Sequence, residues 1–171
     1  MKTLLILRHA KSSWKFPDLT DHDRPLNSRG KRDAPLIGNK LAKEGLVPDV
    51  IIASSAIRAQ ATAKKVAKAS GYPGEIVIES SLYGGGPQTY LNILRNQLDR
   101  YNKILLVGHN PDVEQLLDIL TGTEVIMPTC ALAHVSLILE RWLDLNNNTK
   151  GRLIKVWRPK EMIIASDKSI T

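Results

Sequence analysis

The 171-residue sequence predicts a three-layer α/β/α protein with a mostly parallel central sheet and an antiparallel edge. Three observations carry this. Short aliphatic runs alternate with amphipathic segments through most of the chain. Two of those runs, Leu4-Leu5-Ile6-Leu7 and Ile104-Leu105-Leu106-Val107, are apolar at every position, as strands covered on both faces must be. The last two extended runs are separated by the polar stretch Asn146-Asn147-Asn148-Thr149-Lys150-Gly151, which reads as a hairpin loop.

Taken in order, the first strand stops abruptly at Arg8-His9. A cation and an imidazole there are poor packing residues, because desolvating them unpaired is costly. They are well placed for a site, since ligands of open α/β sheets bind beyond the carboxyl ends of the strands. Residues 15–25 are polar and without period, a loop lying over the end of that strand. Asn27 or Ser28 caps a helix carrying Ala34, Ile37 and Leu41 on one face, with Gly45 closing it. Pro35 removes one backbone donor and is expected to kink that helix or mark where its regular part begins.

Residues 50–53 form a second strand, and Ser54-Ser55 ends it and caps a helix over 56–70 that Gly71-Tyr72-Pro73-Gly74 terminates. Residues 75–79 read as a third strand, Gly84-Gly85-Gly86-Pro87 as a loop, and 88 to about 100 as a helix. The strand at 104–107 ends in Gly108-His109. Asn110 as cap and Pro111 at the first helical position then start another helix, with Asp112 and Glu114 at its positive end. Val113, Leu116, Leu117 and Leu120 supply its buried stripe, and Gly122 stops it. Extended runs over 131–139 and 152–157 make the antiparallel edge. Residues 159–171 read as a loosely packed tail with Met162-Ile163-Ile164 able to dock, so that 1–171 is a single domain.

Composition narrows the class. Hydrophobic content of 43% and charged content of 24% are those of a globular chain. The net charge of +7 favours anionic partners such as phosphates, acidic proteins or nucleic acid. A single cysteine, Cys130, excludes an internal disulfide and fits a reducing compartment. The N-terminal apolar run is too short for a signal peptide, and no run approaches the ~18 apolar residues of a membrane span. A cytoplasmic protein with no membrane partner is the expectation.

The ends of strands one, two and four fall along one rim and collect Arg8, His9, Arg58 and His109. Arg58 sits in the first turn of its helix, where the macrodipole repels cations. A guanidinium is at home there if an anion lies between it and the helix end. Two arginines, two histidines and two helix starts describe a phosphoryl pocket, since arginine forks match phosphate oxygens.

At this point a resemblance applies. Leu7-Arg8-His9-Ala10 resembles the RHG signature of the histidine phosphatase superfamily, the phosphoglycerate-mutase-like fold. Pro25-Leu26-Asn27-Ser28-Arg29-Gly30 is similar to its L-T-x-x-G helix start. The segment from Ser54 to Thr62, containing Arg58-Ala59, resembles its S-x-x-x-R-A-x-x-T element, and Val107-Gly108-His109 its V-x-H element. The wording Arg8-His9-Ala10-Lys11-Ser12-Ser13-Trp14 is most similar to the SixA-type phosphohistidine phosphatase branch. Two departures stand out: Ala10 replaces the signature glycine, and residues 70–103 are too short for the lid that carries an acidic proton donor in larger members. Glu79 and the Asp18, Asp21, Asp23 cluster are the nearby carboxylates.

The resemblance implies a phosphatase of this fold without the large insert. Neutral His9 would attack phosphorus and become phosphohistidine, which water hydrolyses. Arg8, Arg58 and His109 would bind the equatorial oxygens, with Ser12, Ser13 and Asn110 donating further hydrogen bonds. No metal or cofactor is implied. A protein phosphohistidine is favoured as substrate, because a phosphoramidate leaves more readily than the alkoxide of a sugar phosphate, which needs an acid. A small phosphorylated metabolite is the alternative.

Other chemistries fit less well. A cysteine phosphatase needs an arginine six positions after its cysteine, and Ser136 stands there. Gly30-Lys31 lacks the flanking residues of a nucleotide P-loop, and the Gly84 to Gly86 run has no Lys-Ser/Thr pair. Asp21-His22-Asp23 follows no buried strand and reads as surface charge. His134 reads as a core or edge residue, Trp142 and Trp157 as packing, and Trp14 as packing or a pocket wall. Only 5% aromatics and no RNA-reading motif argue against nucleic acid. A phosphate- or phosphoprotein-binding module without turnover remains as a reading from another class.

Overall fold

A computed structural model describes residues 1–168. Side chains alternate across a strand, so an unbroken aliphatic run must feed two cores at once. In β1 (Lys2–Arg8) Leu4 and Ile6 enter one cluster and Leu5 and Leu7 the other. Val50 and Ile52 of β2 (Val50–Ser54) and Ile104 and Leu106 of β4 (Lys103–Gly108) join the first, while Ile51, Ala53, Leu105 and Val107 join the second. With β3 (Ile76–Glu79), β5 (Leu132–Leu137) and β6 (Gly151–Trp157) they form one sheet in the order β3-β2-β4-β1-β5-β6. The first four strands are parallel and the last two antiparallel, the mixed three-layer architecture expected.

Helices α1 (Ser28–Lys43) and α2 (Ile57–Ser70) pack on each other and cover the second cluster, through Ile37, Leu41, Ala63 and Val66. Helices α3 (Gly86–Arg95) and α4 (Asp112–Thr121) cover the first through Leu91, Leu94, Leu116 and Leu120. Asn27 caps α1 as expected, its side chain accepting from Gly30 N–H at 2.9 Å. Gly71 and Gly122 end α2 and α4 in the left-handed region, where a Cβ would be strained.

Several local expectations are corrected. Pro35 does not mark where the regular part of α1 begins, since it lies inside a helix that extends from Ser28 to Lys43. Neither Ser54 nor Ser55 caps α2; Ala56 holds that position, and Ser54 Oγ accepts from Ala56 N–H instead. Helix α3 is shorter than predicted, beginning at Gly86 and ending at Arg95. Asn110 is not the cap of α4: Pro111 stands there, and the Asn110 amide is turned to Glu114 and Met127. Strands β5 and β6 pair antiparallel as expected, but their connection spans 138–150 and holds a 3-10 turn, Trp142–Asp144, that buries Trp142 against the core and gives its indole N–H to Tyr101 O. The expected loose tail is instead helix α5 (Pro159–Lys168), from which Met162 docks, as expected, against the α1–α2 side; residues 169–171 of that tail lie outside the described residues. No helix among the described residues is long and apolar enough to cross a membrane.

Candidate active site

Parallel pairing sets the site. Arg8 at the end of β1 is in register with Gly108 at the end of β4, so the next residues, His9 and His109, leave the sheet side by side. His9 N–H donates to Gly108 O at 2.9 Å, and the two imidazole centroids lie 5.1 Å apart. Gly108 is required there because a Cβ would strike the phenol of Tyr90, whose oxygen accepts from His109 N–H and donates to Leu82 O. Strand β2 ends beside them, and Arg58, second in α2, projects from that helix start into the same place.

The tautomer of His9 follows from its partners. Its Nδ1 lies 2.8 Å from Ala10 O, and a carbonyl can only accept, so Nδ1 carries the hydrogen. Nε2 is then a lone pair, and Arg58 Nε donates to it at 3.3 Å. Burial pushes the His9 pKa down to about 3, helped by the nearby His109, Arg58 and Arg8 charges. The ring is thus an unprotonated nucleophile at neutral pH. His109 is lowered to about 4, again chiefly by burial and then by Arg58. Its Nε2 meets Ser54 Oγ at 2.7 Å, while Nδ1 is buried without a hydrogen-bond partner among the described residues. Arg8 Nε is likewise buried and unpartnered.

Arg8 is positioned by its own small frame. Its Nη1 donates to Met127 O at 2.9 Å, which also accepts from Asn110 Nδ2. Glu114 Oε1 accepts from both Met127 N–H and Asn110 Nδ2. The sequence placed Glu114 at the positive end of a helix; the fold uses it to tie the Met127 loop down beside Arg8. Ala10, at the position of the signature glycine, is fully buried and gives its N–H to Thr62 Oγ1. Cys130 is a buried residue at φ 64° whose N–H reaches Arg8 O and His9 O, and burial pushes its thiol pKa up.

Of the carboxylates the sequence offers near the site, Glu79 and the Asp18, Asp21, Asp23 cluster, Asp21 is the one at the pocket: the 3-10 turn Asp21–Asp23, which the sequence also reads as surface charge, lies against α2 and makes one wall. Asp21 Oδ2 accepts from Arg58 Nη2 at 3.0 Å and from the Tyr83 phenol at 2.7 Å. Its Oδ1 takes a two-pronged contact from Arg24, at 3.1 and 2.9 Å. The Tyr83 hydrogen bond, then Arg24 and Arg58, hold the Asp21 carboxyl far below the usual range, so it stays ionised and cannot serve as an acid. Glu79, at the end of β3, is not among the lining residues, nor are Asp18 and Asp23.

A cavity of about 390 Å³ results, lined by Arg8, His9, Asp21, Arg58, Tyr83 and His109 with Asn110 to Asp112 and Gly84. Four of the expected residues, Arg8, His9, Arg58 and His109, therefore converge, and Asn110 lines the wall. Ser12 and Ser13 do not. Ser12 Oγ accepts from Arg24 Nη1 at 2.7 Å in a bridge to Leu26, and Ser13 Oγ accepts from Lys15 N–H, so both hydroxyls brace the loop. Trp14 is no pocket wall either: it is 73% exposed and stacks under Arg24 at 3.6 Å. Tyr83, edge-on to His109 and 5.6 Å from it, went unread in the sequence. A larger cavity, about 680 Å³, lies between α1, β6 and α5; its lining holds lysines, Arg158, Glu161, Trp157 and aliphatics but no histidine.

Two guanidiniums and an unprotonated imidazole facing one small cavity, at the carboxyl end of a parallel sheet, make a phosphoryl pocket of the kind a phosphatase uses. Comparison with known proteins agrees. Residues 4–83 match the family model of the histidine phosphatase superfamily, branch 1. The chain is 32% identical over 151 residues to an uncharacterised protein of Mycobacterium tuberculosis, covering 81% of this chain and 91% of that one. It is 31% identical over 151 residues to an uncharacterised chloroplastic protein of Arabidopsis thaliana, covering 82% and 69%. Among solved structures, the putative phosphohistidine phosphatase SixA of Agrobacterium tumefaciens superposes with a TM-score of 0.79 at 29% identity, over 92% of this chain and 98% of that one. A protein histidine phosphatase SixA complexed with tungstate shares the fold, with a TM-score of 0.80 at 21% identity over 94% and 99%. The chain belongs to the histidine phosphatase superfamily, in its SixA-type branch.

Proposed function

We propose that the protein is a metal-independent phosphohistidine phosphatase that carries the phosphoryl group transiently on His9 Nε2. The observation that carries this reading is the His9 tautomer: Nδ1–H is spent on Ala10 O, leaving a lone pair on Nε2 beside Arg58. In the first step Nε2 attacks phosphorus, the P–N bond to the substrate imidazole breaks, and the leaving ring keeps the electron pair and takes a proton from solvent. In the second, water attacks the phosphoryl group and Nε2 recovers its pair. Arg8 and Arg58 supply the positive charge that a metal ion would otherwise bring to the equatorial oxygens. The buried, unpartnered Arg8 Nε and His109 Nδ1 gain partners if a phosphoryl oxygen occupies the cavity.

Support for a protein substrate comes from the walls. The pocket is bounded by a short 3-10 turn and the Tyr83–Gly84 edge, with no inserted subdomain between β3 and β4, so a side chain on another protein can reach His9. The phosphohistidine named for the putative SixA relative fits the same reading, and residence in the cytoplasm is proposed with it. The test is a turnover panel of a phosphohistidine protein, a sugar phosphate and an aryl phosphate, with label trapped on the enzyme. Turnover fastest on phosphohistidine, label on His9, none on His9→Ala and no effect of a chelator are expected. Preference for the sugar phosphate would point to a small metabolite, phosphate binding without turnover to a binding module, and loss of activity with chelator would refute the metal-free route.

A further inference from the structure

We infer that Asp112 is a further catalytic residue, the base that takes the proton from the water attacking phosphorylated His9. This rests on the phosphohistidine route proposed above. Water is a weak nucleophile, and a positioned base contributes about 10²–10⁴-fold to such steps. Two carboxylates line the cavity, Asp21 and Asp112. Asp21 is already consumed: both its oxygens are held by Arg24, Arg58 and Tyr83. Asp112 is different. It is the first residue of α4, three positions after His109, and is only 8% exposed. Its Oδ2 accepts one hydrogen bond, from Gly86 N–H at 3.2 Å. Among the described residues no donor reaches Oδ1 and no cation pairs with the group.

The step balances without a further reactant. A water hydrogen passes to Asp112 Oδ1, the water oxygen bonds to phosphorus, and the P–Nε2 bond breaks with its electron pair returning to the imidazole. Phosphate then leaves, and the carboxylic acid returns its proton to solvent. The competing account is that Asp112 merely anchors the Gly84 to Gly86 loop and suits the positive end of α4. Asp112→Asn separates the two, because the amide oxygen still accepts from Gly86 N–H while the side chain can no longer take a proton.

Rapid-quench single turnover of the full-length protein with a labelled phosphohistidine protein reads the outcome. In Asp112→Asn label still reaches His9 but leaves it on the order of 10²-fold more slowly, so the phosphoenzyme accumulates. In Asp112→Ala added formate accelerates its decay in proportion to concentration, a response that a purely structural role would not produce. Wild-type decay rates in Asp112→Asn, or no response to formate in Asp112→Ala, overturn the assignment. Absence of label on His9 in both wild type and Asp112→Asn would instead overturn the phosphohistidine route itself, and this step with it.

Discussion

The pocket has two walls built on opposite principles. The Asp21–Asp23 turn is cross-braced by charge: Arg24 and Arg58 grip Asp21, Tyr83 donates to it, and His22 meets Ser55 Oγ at 2.9 Å. The adjoining edge, Gly84 to Gly86, is backbone, with positive φ at Gly84 and Gly86 and a single N–H held by Asp112. An exposed ion pair is ordinarily worth little, and the Asp21 side chain is half exposed. Its partner is not: the Arg58 side chain is 6% exposed, and a buried guanidinium left without its carboxylate is costly. The braced wall therefore holds the Arg58 cation in place, while the glycine edge is tied to α4 by the single bond from Gly86 N–H to Asp112.

Breaking the brace has the largest expected effect. Asp21→Ala frees the Arg58 Nη2 arm and Arg24 together, and kcat/KM should fall on the order of 10²-fold, as misplacement of a charged group by about 1 Å does. Steady-state kinetics on phosphohistidine protein check this, and unchanged kinetics would show that Arg58 needs no carboxylate. Acid probes the floor between the walls. His9 and His109 titrate near 3 and 4 when folded, against an ordinary 6.5, so the unfolded chain binds more protons between about pH 6.5 and 4. Stability is complete above that window and falls as pH drops through it, by about 1.4 kcal/mol per pH unit for each histidine. Urea midpoints from pH 7 to 4.5 measure it, and a flat profile would place both rings in contact with solvent. The smallest effect belongs to Tyr83→Phe. It removes one of four donors to Asp21 and should cost less than about 1.5 kcal/mol, seen as a drop of under about 10-fold in rate; a collapse as large as that of Asp21→Ala would make Tyr83 the centre of the brace.

Legibility followed the kind of force involved. β1 and β4 were readable because unbroken aliphatic runs have one economical use, burial on both sheet faces. Arg8, His9, Arg58 and His109 were readable because they stand at strand ends or a helix start, where packing gives them no reason to be. Ser12 and Ser13 were misplaced because hydroxyls close in sequence to His9 suggested donors, whereas Arg24 and the Lys15 backbone claim them. The docking of Met162 was legible, but the helical form of α5 was not, because its apolar positions are few and its packing partner α1 lies far away in the chain.

What the sequence determined by itself is the sheet, its covering helices and the rim on which two histidines and two arginines gather, since local hydrophobic period encodes all of these. What only the tertiary structure decided is who holds them. Asp21 meets Arg58 across 37 positions and Tyr83 across 62, and Asp112 faces the same cavity from another helix. Ion pairs and hydrogen bonds between distant segments leave no periodic trace in a chain; they exist only once burial has brought the partners within about 3 Å.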